Sequence, residues 1–299
     1  MWDLKFALKS LKKSLGITLI NVLGFSLGLS AIFFLVQYLT NEYSFDDFHK
    51  NKGQIYRIAI KSYENGQFED ETFVYTSEVG KAIKSDFPEV DEYVSLTTPS
   101  NDVFYLDNAP HKINDYIYAG ASFFDVFSFQ LKEGDPDKVL LAPYSIVLTE
   151  TLAKNLFGNE EPVGRQLVLN EEPYTITGVA QNPPTNTDLG FNMLVSFSTR
   201  YKQKNVYMGW NGGNQYVHYV KLVSKADPLS IEKKADAFMW KYINKDYEEI
   251  GIKDLLYLQP LSDIHFRYNP ESASLKRNML IFSVIAVLLL AIVIINFVN

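Results

Sequence analysis

Two long stretches without a charged residue constrain this 299-residue chain more than any other feature. One covers residues 14–41 and the other covers residues 278–299. About 20 apolar residues in a helix cross the hydrocarbon core of a bilayer, so each stretch predicts a membrane-spanning helix, at 16–41 and 278–299. The first run is too long for the apolar part of a cleaved signal peptide, and it lacks the polar face of a buried soluble helix.

Positive charge near the start predicts the orientation of these helices. The first 13 residues hold four lysines against Asp3, and such clusters stay in the cytoplasm. Leucines recur opposite these lysines, which predicts a cytoplasmic amphipathic lead-in helix over residues 1–15. Lys276 and Arg277 precede the second span and would lie outside the cytoplasm. The lysine cluster at the N-terminus is larger and comes first, so it is expected to set the orientation. The N-terminus is therefore predicted to be cytoplasmic and residues 42–277 extracytoplasmic.

Small residues in the first span suggest a packing surface. Gly24 and Gly28 form a G-x-x-x-G spacing, which lets another membrane helix approach closely. They are the candidate helix-packing residues, although glycine is also simply common in membrane helices. Because the chain stops where the second span ends, we expect a fragment of a longer polypeptide.

The segment 42–277 alternates between strand-like and helix-like patterns. It predicts an α+β fold, a mixed α/β domain of two subdomains with one inserted in the other. Helices are expected at 76–87, 150–157 and 228–243. Strands are expected at 54–63, 93–97, 103–106, 116–119, 145–149, 165–169, 174–180, 193–197, 216–223 and 255–261.

The residues carry no visible catalytic machinery. Cysteine is absent, the four histidines have no zinc-binding spacing, and neither a phosphate-binding loop nor a G-x-S-x-G elbow occurs. We predict no catalytic residue, cofactor or metal site, and the acidic clusters 69–71 and 160–161 are interpreted as solvated surface. The acidic balance of 35 Asp and Glu against 28 Lys and Arg argues against nucleic acid as a partner. The aromatic loop 210–214 is either a partner-binding loop or a plain strand connection.

Four ordered stretches resemble the MacB/FtsX-type ABC transporter permeases. The first is 2–11 with Asn21, Gly24 and Gly28; the second is 42–49 with 55–58; the third runs from 148–158 through 162–164 to 174–179 and 183–184; the fourth is 258–265 with 295–299. Together they cover nearly the whole chain, in the order of that family.

The resemblance implies a permease subunit in a bacterial inner membrane with a periplasmic MacB-like core domain. A cytoplasmic ABC ATPase would hydrolyse ATP, so this chain would not be an enzyme. Its coupled movement would serve export or mechanotransmission. A second permease copy or repeat and a periplasmic cargo or adaptor protein are further partners that the resemblance implies.

Force transmission would need stiff joints where the domain meets its spans. Aromatic and aliphatic residues cluster there, and the candidate coupling joints are Phe45, Phe48, Ile264 and Phe266. Ordinary core packing is the competing interpretation. The alternative function is a two-span membrane sensor with an extracytoplasmic ligand-binding domain; a membrane-anchored enzyme is a weaker third reading.

Overall fold

The computed structural model describes residues 15–211, 213–268 and 272–298. They form two compact units. A helical unit comprises the described residues up to Phe45 and from His265 onward, and a globular unit comprises Asp46–Ile264. The predicted lead-in helix over residues 1–15 lies, apart from Leu15, outside the described residues.

The helical unit contains helix α1, Leu15–Tyr43, and helix α6, Ser272–Val298. Thr18–Tyr43 has a mean hydropathy of 2.3 and Ser272–Asn296 one of 3.0, so both are long and apolar enough to cross a membrane. Gly24 near the beginning of α1 lies beside Asn296 near the end of α6, and Tyr38 near the end of α1 packs on Phe282 in the first half of α6. The two helices are therefore antiparallel.

The globular unit is built on one mixed sheet. Its described strands are β1 Ile55–Glu64, β2 Gln67–Thr72, β3 Val74–Tyr75, β4 Val90–Thr97, β5 Ser100–Leu106, β6 Ala109–Ala119, β7 Leu131–Glu133, β8 Ser145–Thr149, β9 Gln166–Leu169, β10 Glu172–Ala180, β11 Met193–Ser196, β12 Tyr216–Leu222 and β13 Ile252–Pro260. The main path has the order β11-β8-β10-β9-β5-β6-β4-β12-β1-β13, and β11 also pairs with β6. All seven residues of β12 are buried, as expected of a strand with strands on both edges and packing on both faces.

Among the described residues of the globular unit, four α-helices have four or more residues: α2 Val79–Asp86, α3 Phe123–Val126, α4 Glu150–Phe157 and α5 Pro228–Met239. Local chemistry sets their ends. The Thr149 hydroxyl accepts the Leu152 N–H at the start of α4, and Gly158 follows its end with a φ of 62°. Asp227 caps α5 in the same manner, with Pro228 in its first turn.

Separate hydrophobic cores divide the sheet into two halves. One core joins α2 and α5 to strands drawn from residues 58–90 and 220–258. Another joins α4 to strands drawn from residues 104–197, with Tyr216 at its edge. The second half is therefore inserted into the sequence of the first, and the mixed α/β prediction is confirmed. A third core lies under α3 and includes Phe123, Phe127 and Phe129.

Most predicted elements are present, and the differences have local causes. Strand 145–149 and helix 150–157 have the predicted bounds. The helix predicted over 228–243 changes to a π-helix at Trp240–Asn244. Strand β2 was not predicted because its sequence, QFEDET, is acidic and nearly all exposed, so it lacks the alternation that a half-buried strand shows.

Candidate functional site at the unit boundaries

The chain passes between the two units at two places, after Phe45 and after Ile264. The four predicted coupling joints therefore lie in pairs on either side of the boundaries. Phe45 and Phe266 belong to the helical unit, and Phe48 and Ile264 belong to the globular unit.

On the helical side, a buried polar pair joins the two chain segments. Glu42 lies in the last turn of α1, and its Oε2 is 2.9 Å from Nε2 of His265. The two side chains are only 12% and 11% exposed. Because a carboxylate only accepts, the imidazole Nε2 carries the hydrogen and donates it. This contact joins the end of α1 to the segment before α6 with a hydrogen bond that little water reaches.

Aromatic rings surround this polar pair. The ring of Phe45 stacks on the imidazole of His265 at a centroid distance of 3.5 Å and an interplanar angle of 13°. Tyr43 packs on Phe266 at 5.7 Å. Two of the predicted joint residues, Phe45 and Phe266, therefore share one cluster with His265.

Further along α1, the predicted packing glycines face α6. A Cβ atom on Gly28 would lie 2.5 Å from Cγ2 of Val293, and one on Gly24 would lie 3.5 Å from Nδ2 of Asn296. The amide of Asn296 also donates to the main-chain oxygen of Asn21 at 3.3 Å. A Cβ atom at Gly28 would force Val293 or the helices to shift, whereas one at Gly24 would make an ordinary contact. Both glycines thus face a helix of the same chain, and their role in packing stays a prediction.

On the globular side, Phe48 and His49 insert into an aromatic cluster. The Phe48 ring lies 3.9 Å from His49 and 5.2 Å from Phe129. His49 is 1% exposed and also contacts Phe127 at 5.4 Å. Ile264 is 3% exposed and belongs to the same hydrophobic core. Phe48 and Ile264, the other two predicted joints, thus contribute to one core.

Polar contacts fix the first residues of the globular unit to two distant loops. Asp46 accepts a hydrogen bond from the hydroxyl of Thr187, and its N–H donates to the Asn186 oxygen at 3.0 Å. The Ser128 N–H donates to Nδ1 of His49 at 3.0 Å. The Ser128 hydroxyl in turn accepts the N–H of Lys50 at 2.9 Å.

The His49 tautomer follows from these bonds. Because Nδ1 accepts, Nε2 carries the hydrogen, and it lies 3.7 Å from Oδ1 of Asp46, beyond hydrogen-bond distance. Burial lowers the pKa of His49 to about 4. The imidazole is therefore neutral at physiological pH and acts as a packed acceptor within the cluster.

The joint residues predicted from the sequence do not include four polar partners, Glu42, Asp46, His49 and His265. A signal was available, since each is a polar residue in a segment of aromatic and aliphatic residues beside a predicted span. Such residues are buried only with partners, which predicts contacts without identifying them.

A second buried histidine makes a contact that resembles a nucleophile and its base. His218 is 1% exposed, its Nδ1 lies 2.8 Å from the Ser95 hydroxyl, and its Nε2 lies 2.8 Å from the Thr76 main-chain oxygen. The main-chain oxygen fixes Nε2 as the donor, so the Ser95 hydroxyl donates to Nδ1. Burial lowers the pKa of His218 to about 4 and both side chains are buried, so this pair serves the packing of β4 on β12. Within the described ranges, no group of three or more His, Cys, Asp or Glu could hold a metal ion.

Taken together, fold and site define a mixed α/β domain whose sequence begins and ends next to two apolar helices. The profile of the MacB-like periplasmic core domain family matches residues 18–238. The chain belongs to this family, as the sequence resemblance predicted.

Individual relatives are more distant. A macrolide export ATP-binding/permease protein, MacB, of Aggregatibacter actinomycetemcomitans is 28% identical over 96 residues. That match spans 30% of this chain and only 15% of the relative.

One solved structure shares the fold, and a second is more distant. A domain of a Porphyromonas gingivalis protein provisionally described as a permease superposes with a TM-score of 0.62 at 20% identity, covering 71% of this chain and 91% of that one. The periplasmic region of MacB from Actinobacillus actinomycetemcomitans gives a TM-score of 0.46 at 19% identity, covering 69% and 89%.

Proposed function

We propose that this chain is part of an ABC transporter permease subunit, in which ATP hydrolysis by a cytoplasmic partner moves the extracytoplasmic domain for export or mechanotransmission. Membership of the MacB-like family supports this proposal, and the curated relative is an ATP-binding/permease protein. The observation that carries it is the arrangement at the two unit boundaries. Each boundary is flanked on both sides by side chains that are packed or hydrogen-bonded within their own unit.

A helix can move a domain only if the connecting residues resist bending, because flexible connections absorb displacement. Phe45 stacked on His265 resists motion on the helical side, and Phe48 within the aromatic core resists it on the globular side. Both would transmit displacement of α1 to the sheet.

The same proposal gives the partners and the orientation. The N-terminus lies in the cytoplasm of a bacterial inner membrane and the globular unit lies in the periplasm. An ATPase subunit, a second permease copy or repeat, and a periplasmic cargo or adaptor are the partners. Since the chain lacks cysteine, a single cysteine at Glu69 should react with a membrane-impermeant maleimide in spheroplasts, whereas one at Lys9 should react only after lysis. The reverse labelling would refute the orientation.

Coupling is tested by replacing Phe45 or Phe48 with Gly in the complete transporter, reconstituted with its ATPase subunit. We expect ATP turnover to continue while cargo export, or another periplasmic readout, falls at least tenfold. Phe68→Gly is the matched control, because Phe68 is 57% exposed on β2 and should leave coupling unchanged. Normal coupling in well-expressed, folded Phe45→Gly and Phe48→Gly variants would refute the proposal.

A further inference from the structure

The beginning of α6 presents two cations beside an apolar helix surface. Lys276 and Arg277 are both exposed, and residues 278–299, which follow them, carry no charge. One turn further along the helix, Leu280 is 68% exposed and Ile281 is 46% exposed. The two cations therefore lie where the apolar surface ends, which in a membrane-spanning helix is the depth of the lipid headgroups.

The packing of the two helices places the end of α1 at the same level. Their contacts follow one antiparallel register, which brings Gly24 beside Asn296, Gly28 beside Val293 and Tyr38 beside Phe282. Continued towards the end of α1, this register brings Tyr43 level with Arg277. Tyr43 is 66% exposed. Exposed tyrosines are enriched where membranes meet water, so this residue marks the headgroup depth independently of the cations.

Neither cation is neutralised by the residues that the structure describes. Among them, no carboxylate lies within 4.0 Å of the Lys276 or Arg277 head group. In the sequence, the segment 266–277 also contains Arg267 and a single acid, Glu271. Three cationic residues against one acid give this segment a net charge of +2.

The acids near the end of α1 are already engaged. Glu42 accepts a hydrogen bond from His265, and Asp47 is paired with Lys52. Asp46 is only 2% exposed. Charges at the edge of a low-dielectric phase interact strongly with opposite charges. The two cations of α6 therefore call for an anion from outside the chain.

From this arrangement we propose that the beginning of α6 binds the headgroup of an anionic phospholipid. The guanidinium of Arg277 can donate two parallel hydrogen bonds to phosphate oxygens, and the ammonium of Lys276 adds a second positive charge. The acyl chains of the same lipid cover Leu280 and Ile281, which a free phosphate would leave uncovered.

Selectivity follows from the net charge of the lipid. A zwitterionic phospholipid carries the same phosphate together with its own cation, which repels the two basic side chains. An anionic phospholipid lacks that cation and is attracted to both. This inference requires that α6 crosses a membrane, but it does not depend on the transport proposal, because lipid binding is measured on the chain alone.

The experiment uses the full chain reconstituted in vesicles, with a fluorescent reporter beside the two cations. Leu280→Trp is made in a chain whose own tryptophans, Trp2, Trp210 and Trp240, are changed to Phe. Brominated phosphatidylglycerol and brominated phosphatidylcholine are the probes, because bromine quenches indole fluorescence at short range. We expect phosphatidylglycerol to bind about fivefold more tightly, the contribution of about one basic residue. The N-terminal lysines precede the opposite end of α1, about 40 Å along the helix, and do not affect this reporter.

Variants test the two side chains. Lys276→Gln combined with Arg277→Gln should reduce the preference for phosphatidylglycerol to about twofold or less. The charge-conserving combination of Lys276→Arg and Arg277→Lys should keep it. Lys202→Gln combined with Lys204→Gln is the matched control, because it removes two exposed cations from the globular unit and should leave the preference unchanged.

A second measurement avoids the reporter substitutions. Electron spin resonance of spin-labelled phosphatidylglycerol and phosphatidylcholine compares the unmodified chain with the double Gln variant, and circular dichroism shows that both are folded. Equal binding of the two lipids at the reporter, or an equal preference in the unmodified chain and the double Gln variant, would overturn the proposal. Stronger displacement of the lipid by inorganic phosphate than by chloride at equal ionic strength would also overturn it, because the site would then recognise phosphate alone.

Discussion

The helical unit and the globular unit stabilise the residues beside the two boundaries, after Phe45 and after Ile264, by different means. In the helical unit, glycines let α1 approach α6, and one buried pair, Glu42 and His265, joins the segments near their ends. In the globular unit, His49 lies among aromatic rings, and hydrogen bonds tie its neighbours to the chain near Ser128 and Thr187.

The difference follows from the solvent that each unit meets. Lipid tails are as apolar as leucine, so burying apolar side chains does not bring membrane helices together. Close packing and polar contacts must do so. In water, burying aromatic surface is itself the main driving force. The two units should therefore respond differently to the same kind of substitution.

Removing an aromatic ring from the globular side should have the largest effect. Phe129 is 7% exposed and contacts Phe48, Phe123 and Phe191. Phe129→Ala should lower the free energy of unfolding of the globular unit by about 3–5 kcal/mol, because the cavity cannot collapse fully. Urea unfolding in detergent, followed by near-UV circular dichroism, measures this change.

The matched control is Phe68→Ala, at a ring that is 57% exposed, which should cost less than about 1 kcal/mol. The helical signal of α1 and α6 should persist in Phe129→Ala, since detergent sustains those helices. Simultaneous loss of the near-UV signal and the helical signal would contradict independent unfolding of the two units.

Acid should destabilise the globular unit through its two buried histidines. The pKa of both His49 and His218 lies at about 4 in the folded protein, below the ordinary value of about 6.5. Between these values the unfolded state binds more protons, so stability is complete above pH 6.5 and falls as the pH drops towards 4. The full difference corresponds to about 3 kcal/mol for each histidine.

Carboxylates also titrate at low pH, so the comparison needs a variant. His49→Asn keeps an acceptor for the Ser128 N–H but cannot be protonated. Its free energy of unfolding should fall less between pH 6.5 and 4.5 than that of the parent, as measured by urea titrations at each pH. Parallel pH profiles for parent and variant would show that His49 does not contribute.

The sequence predicted the elements better than the contacts between them. Strand 145–149 and helix 150–157 were found because buried runs, a threonine cap and Gly158 are local signals. The π-helix at Trp240–Asn244 and strand β2 were missed. The π-helix continues the helix predicted over 228–243 without a change in the sequence pattern, and β2 pairs with β1 through main-chain hydrogen bonds that its side chains do not reveal.

For the candidate site, the sequence indicated clusters of residues, and the structure supplied their partners. Aromatic clustering beside the spans led to Phe45, Phe48, Ile264 and Phe266. The pairing of Glu42 with His265 joins residues 223 positions apart, and a single sequence has no local signal for such a distance. Gly24 and Gly28 predicted a close helix contact but could not say that the neighbour is α6 of the same chain.

A single methyl group tests the close packing of the helical unit. Gly28→Ala would place a Cβ atom 2.5 Å from Cγ2 of Val293, so the Val293 side chain or the two helices must shift. Overpacking of this kind costs about 1–3 kcal/mol. Thermal unfolding in detergent should show the loss, and adding Val293→Ala should restore stability by removing the clashing atom.

Gly16→Ala is the matched control, because a Cβ atom there meets nothing within 4 Å. It should be neutral or slightly stabilising, since alanine favours helix. Equal effects at Gly16 and Gly28 would point to backbone propensity and would contradict the close-packing account.

The smallest expected effect separates charge from hydrogen bonding at the helical boundary. Glu42→Gln retains an oxygen that can accept from Nε2 of His265, so the loss should be about 0.5–1.5 kcal/mol. Glu42→Ala removes the acceptor and leaves the buried imidazole donor unpaired, which costs about 1–3 kcal/mol. Thermal unfolding of both variants in the same detergent gives the ordering. If Gln were as damaging as Ala, the charge of Glu42 would stabilise the pair, and the helical unit would depend on electrostatics in a low-dielectric setting. If Gln were nearly silent, hydrogen bonding alone would hold this end, as it holds His49 and Ser128 on the other side of the boundary.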